Sequence, residues 1–135
     1  MSVIEFDQSR LPLAVITYRG LAPMVEFEAF ITRVDGWLRN RQTYVLVFDV
    51  SRADVPTALQ RRRLAEWTAL RGQDLARFCL GTSFVITSPL IHGAFTAVLW
   101  LQPLPYPHEV VASRKEGEVW CRKQLDARRL SARSA

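Results

Sequence analysis

The run TYVLVFDVS, residues 43–51, constrains this chain more than any other stretch. A continuous apolar segment of this length, rich in β-branched and aromatic residues and bounded by polar ones, is the pattern of a strand covered on both faces. Such a strand needs packed layers above and below it, which places the chain among the α/β folds. A second run of the same kind, CLGTSFVITS, occupies residues 79–88. Between the two lies TALQRRRLAEWTALRGQDLARF, residues 57–78, which is far too long for a hairpin and carries helical spacing. Two buried strands joined by a helix run parallel through a crossover connection.

The rest of the chain continues the rhythm. VIEF, 3–6, and LAVITY, 13–18, are short β-forming runs separated by DQSRLP, which predicts paired opening strands. From Ala22 to Asn40, Phe27, Phe30, Ile31, Val34, Trp37 and Leu38 recur at helical spacing, with Pro23 suited to the first turn. In the helix over 57–78, Leu59, Leu64, Trp67, Leu70, Leu75 and Phe78 form the expected apolar stripe. Thr57-x-x-Gln60 opens it as a capping box, and Gly72 marks a weak point or its end. Ser88-Pro89 starts a further helix, and Pro103, Pro105 and Pro107 stop it. HEVVAS is a last short strand, and Ser113-x-x-Glu116 opens a C-terminal helix to about Leu130. The order is ββαβαβαβα: one domain over residues 1–130 with a mixed, mostly parallel sheet of about five strands, and a frayed tail at 131–135.

Length supports a single core, and a hydrophobic share of 49% excludes a disordered chain. No charged-then-apolar leader opens the sequence, and two cysteines do not make a disulfide framework, so a cytoplasmic setting with free thiols is expected. The net charge of +5 is uneven: residues 1–60 carry −1 and residues 61–135 carry +6. No aromatic-interleaved basic strand or recognition-helix motif accompanies that charge, so nucleic acid is not an expected partner. Arg61-Arg62-Arg63 lies on a helix, where successive side chains point about 100° apart and form no single patch.

The segment VLVFDVSRADVPTAL, residues 45–59, is a buried strand ending in Asp-x-Ser, a short loop, and a helix start. With the element order, it resembles the STAS domains, the sulfate-transporter and anti-sigma-factor-antagonist group, in their SpoIIAA-like, Sec14-like branch. In the antagonists this junction carries a serine or threonine phosphorylated by a partner kinase. The resemblance implies Thr57 as the matching phospho-acceptor, Ser51 as the second candidate, and Asp49 and Asp54 as the acidic residues of a ligand or switch loop. Where the antagonists have an Asp-Ser-Ser-Gly type sequence, this chain has Val55-Pro56-Thr57-Ala58. A Sec14-like relative further implies a lipid or other small apolar ligand.

No G-x-S-x-G elbow, Gly-rich phosphate loop or nucleotide fingerprint occurs. His92, His108, Cys79 and Cys121 lack the spacing of a zinc site, and no metal or cofactor is implied. The expectation is therefore a binding protein and not an enzyme. Asp49 stands at the carboxyl end of a buried strand, where α/β sheets bind ligands, although tying down the following loop explains it equally. Thr57 likewise is explained by capping alone.

The remaining feature is PLIHGAFTAVLWLQ, residues 89–102. Leu90 to Gln102 gives about 20 Å of helix, too short for the ~30 Å of a bilayer core. Ile91, Phe95 and Val98, flanked by Ala94, Leu99 and Leu101, belong against the sheet. The other face, His92, Gly93, Thr96, Ala97 and Trp100, has no charge for water to meet. Either the C-terminal helix covers it, or it is an interface for a protein partner or a second copy in a homodimer.

Overall fold

The structure, a computed structural model, describes the backbone of residues 3–134 and the side chains of residues 3–131. Strands β1 (Ile4–Arg10), β2 (Leu13–Gly20), β3 (Tyr44–Ala53), β4 (Cys79–Val85) and β5 (His108–Val111) form one sheet in the spatial order β1-β2-β3-β4-β5. β1 and β2 are antiparallel, and every later pairing is parallel. Helices α1 (Met24–Arg39), α2 (Ala58–Leu70), α3 (Gly72–Phe78) and α4 (Pro89–Leu101) link the strands, and α5 (Arg114–Ser134) follows β5. This is the expected ββαβαβαβα order, with the second helix broken in two. α5 continues past the Leu130 boundary to Ser134, so residues 131–134 are helix where a frayed tail was expected; Ala135 lies outside the described residues. Among the described residues no helix is long and apolar enough to cross a membrane.

Alternation along each strand divides the core. Ala14, Ile16 and Tyr18 of β2 and Tyr44 and Leu46 of β3 face α1, whose Phe27, Phe30, Ile31, Val34, Trp37 and Leu38 are all buried as their spacing requires. Leu13, Val15, Val45, Val47 and Val85 face the other way, toward Cys121 on α5. α5 lies close to the sheet: a Cβ on Gly117 would stand 2.7 Å from Ser83 Oγ, and one on Gly81 would meet the Trp120 ring at 2.9 Å. Both positions need glycine because no side chain fits between helix and sheet there.

Two expectations are corrected here. β1 extends through Asp7–Arg10, so the hairpin turns only at Leu11-Pro12. The helix breaks at Arg71, beside the weak point expected at Gly72, and Arg71 Nε reaches Asp35 Oδ1 of α1 at 3.0 Å. Leu59 and Leu70 were expected in the apolar stripe, but both are exposed. α2 instead rests on Gln60, Ala65 and Thr68. Gln60 is buried because its amide Nε2 donates to the Ala22 carbonyl at 2.8 Å while its Oε1 accepts from Thr57 N–H. Ser88 occupies the N-cap of α4 with Pro89 in its first turn, as expected, though without a side-chain cap bond.

Candidate functional site

The face of the sheet that α1 and α4 cover is not filled. Between the sheet and α4 lies an apolar cavity of about 180 Å³. Tyr18, Tyr44, Leu46, Phe48, Thr82 and Phe84 form its floor; α1 contributes Phe27, Phe30 and Val34, and α2 and α3 contribute Leu64, Trp67, Thr68 and Leu75. Ile91, Ala94, Phe95, Val98 and Leu99 of α4 make the roof, closed at one end by Leu104 and Tyr106. The rim is Ala53, Asp54 and Pro56, the loop between β3 and α2. A dry cavity of roughly 150 Å³ lined by aliphatic and aromatic groups is large enough to hold benzene.

Stiff rings hold the space open. Phe30 packs edge-on against Phe48 with ring centres 5.6 Å apart, Phe48 stacks on Phe84 at 6.0 Å, and Phe84 meets Phe95 of α4 at 4.5 Å. Phe84 and Phe95 thus prop α4 off the strands, and Ile91 is the one fully buried α4 residue. Ala94, Phe95, Val98 and Leu99 are half-buried, facing the cavity as the helical wheel requires. Leu101 was expected among them but is exposed, because α4 ends there and the chain turns into the proline segment.

The other face of α4 is open. α5 packs on the opposite side of the sheet, so it cannot cover this surface, and that alternative falls. His92, Gly93, Ala97 and Trp100 are exposed, Trp100 to 85%. Thr96 is half-buried, and its hydroxyl donates to the His92 carbonyl at 3.0 Å.

The strand–loop–helix junction divides into two parts. Asp49 does not face the cavity: it points to the α5 side, where its Oδ2 accepts from Arg114 Nε at 2.6 Å. Its Oδ1 accepts from the Ser51 hydroxyl at 2.6 Å and from Ser51 N–H at 3.0 Å. Arg114 also donates to Thr17 Oγ1 at 2.6 Å, so the pair clamps the start of α5 to β2 and β3. Burial raises the Asp49 carboxyl, but the bonds from Ser51 and Arg114 outweigh it and hold the group below the usual range. Asp49 and Ser51 are thereby tied to each other and to the start of α5. Thr57 is exposed at the N-cap of α2, its Oγ1 accepting from Gln60 N–H at 3.1 Å. Asp54, also exposed, lies on the cavity rim. Arg61 donates to the Pro56 carbonyl, Arg63 pairs with Glu28 at 2.8 Å, and Arg62 is exposed, so the three arginines diverge.

Cys79 opens β4 within the α1-side core, and burial pushes its thiol up to about 11. Cys121 lies on the α5 side, its sulfur 3.4 Å from Ser83 Oγ and from the Leu46 carbonyl oxygen. Sequence reasoning did not anticipate the tyrosines and Thr82 of the cavity. The concentration of phenyl rings on one face of β3 and β4 is the signal that could have pointed to them.

No family model matches the chain, and no curated protein matches it. Solved structures do. One is an uncharacterised protein of the DUF3478 family with a SpoIIAA-like fold from Shewanella loihica PV-4. It is 12% identical with a TM-score of 0.62, over 87% of this chain and 91% of that one. Another is an anti-sigma factor antagonist from Mycobacterium paratuberculosis, 16% identical with a TM-score of 0.54, over 88% of this chain and 92% of that one. At these identities the likeness is one of architecture, and the chain has the SpoIIAA-like fold.

Proposed function

We propose that this protein acts by binding and not by chemistry, and that it holds a small apolar molecule between the sheet and α4. The observation that supports the reading is the cavity itself: a space of about 180 Å³ walled by aromatic and aliphatic side chains. Unfilled apolar space costs about 24 cal/mol per Å³ where a side chain has been deleted, so a guest that restores the missing contacts is stabilising. Its roof is a helix with a single buried residue, which gives a route in without disturbing the strands. Native mass spectrometry of protein freshly isolated from its own source tests this. A retained apolar mass released on denaturation is the expected result. A clean apo mass, together with no thermal shift in the presence of toluene, overturns it.

A second reading rests on a separate observation, the uncharged outer face of α4. Leu90, Trp100 and Leu101 are each more than half exposed beside the small residues Gly93 and Ala97. Such a face is suited to a second copy or a regulatory partner, the role named for the Mycobacterium paratuberculosis antagonist of like fold. Sedimentation velocity should show a dimer that Ala97→Glu converts to a folded monomer. A wild-type monomer at high micromolar concentration removes self-association.

A further inference from the structure

The deep side of the cavity carries a row of hydrogen-bonding groups, every one uncharged. Cys79 Sγ and Thr82 Oγ1 share a bond at 3.4 Å, and Tyr44 and Tyr106 line the cavity with Thr82. Tyr44, Cys79 and Thr82 are each 1% exposed. A hydroxyl has one hydrogen and two lone pairs, so the single bond with Cys79 leaves Thr82 Oγ1 with acceptor capacity to spare. Thr82 and Tyr106 line the cavity wall with Phe84 and Leu104, and Tyr44 lines it with Leu46.

Charge is placed the other way. Among the described residues no Lys, Arg or His lines the cavity, and the ionisable carboxylate there is Asp54, on the rim. A carboxylate guest would lose its hydration with no cation to meet it and would pass Asp54 on entry. Burial also pushes the Tyr44 and Tyr106 phenols up, so both remain neutral donors at physiological pH.

We infer that the site selects an uncharged molecule of about the size of one six-membered ring, with a single hydroxyl or carbonyl bonded at Thr82 and Tyr106. The inference rests on reading the cavity as a ligand site and adds the chemical class. Size follows from the volume, and polarity follows from the row of hydroxyls at one end of an otherwise apolar wall. A purely hydrocarbon guest would leave those lone pairs unmet, and an acid of equal shape would be rejected.

Three probes of nearly one shape test it: toluene, benzyl alcohol and benzoate, titrated at pH 7.5 into isotopically labelled protein and followed by NMR. Toluene and benzyl alcohol are expected to shift signals of Ala94, Phe84 and Tyr106, with benzoate at least about tenfold weaker than benzyl alcohol. Tyr106→Phe, at a partly exposed residue, should lower the benzyl alcohol to toluene affinity ratio about fivefold, the equivalent of one hydrogen bond. If benzoate binds within threefold of benzyl alcohol, or Tyr106→Phe leaves the ratio unchanged, the inferred class is wrong while an apolar site survives. If no probe shifts the cavity signals, the apolar site itself is lost, and this inference with it.

Discussion

The two faces of the sheet are packed by opposite means. On the α5 face the contact residues are small: Gly117 lies over Ser83 and Val47, Gly81 lies under Trp120, and Cys121 fits against Ser83 and the β3 backbone. Small residues let the helix settle directly on the strands, and a clamp from Arg114 to Asp49 and Thr17 fixes its start. On the other face Phe48, Phe84 and Phe95 stand between strand and helix, and rigid rings cannot collapse into the space beside them. Two helices on one sheet thus end in different states. α5 is locked, and α4 is held at a distance over a void. The lesson is that residue size at the contact, more than total hydrophobicity, decides whether a helix closes a core or leaves a space beneath it.

The contrast can be broken most severely on the closed face. Gly117→Leu forces a side chain into a gap where even a Cβ stands 2.7 Å from Ser83 Oγ, and it should cost about 3 kcal/mol, read as a lowered denaturant midpoint. A midpoint equal to wild type would show that α5 is not seated as described. The next largest effect comes from the clamp. Asp49→Asn should cost about 2 kcal/mol at neutral pH, the scale of hydrogen bonds to a charged group. Its sign with pH follows from the lowered carboxyl of the folded state. The wild-type advantage is complete above the unfolded value, about 3.9, and is lost as pH falls through the lower folded value. Acid titrations of the two proteins should therefore converge below that point. Curves that stay parallel would remove Asp49 from the acid response.

The smallest effect has the opposite sign. Ala94→Leu on the roof of the cavity adds methylene groups to empty space, so stability should rise by up to about 1 kcal/mol while toluene no longer binds. A loss of stability comparable to that of Gly117→Leu would mean that α4 is as closely packed as α5. The same chemical change, a small residue made large, is thus expected to harm one face and help the other.

Most of the element order was legible from period alone. The stripe of α1 is buried residue for residue, the run over 43–51 became the central β3 and that over 79–88 became β4, and the proline cluster stopped α4. The Thr57–Gln60 capping box is present because both of its bonds are local, within one helical turn. Gly72 marked the break between α2 and α3, but the single stripe across it failed at Leu59 and Leu70, which are exposed. The pairing of Arg71 with Asp35 on another helix lies outside any local window. Asp49 likewise sat where a ligand residue was expected, and its partner, Arg114, is distant in the chain.

The sequence by itself determined that this chain builds a parallel-type sheet flanked by helices, since alternation, apolar run length and capping are properties of neighbours along the chain. It also determined that α4 has one bulky face and one uncharged face. Only the tertiary structure decided that α5 goes to the far side of the sheet, leaving that second face exposed, and that the bulky face roofs a cavity walled by aromatic and aliphatic side chains. Both outcomes depend on which side chains from distant segments meet, and on whether their combined volume fills the space between the layers. That is a sum over the whole fold, and no single stretch of residues carries it.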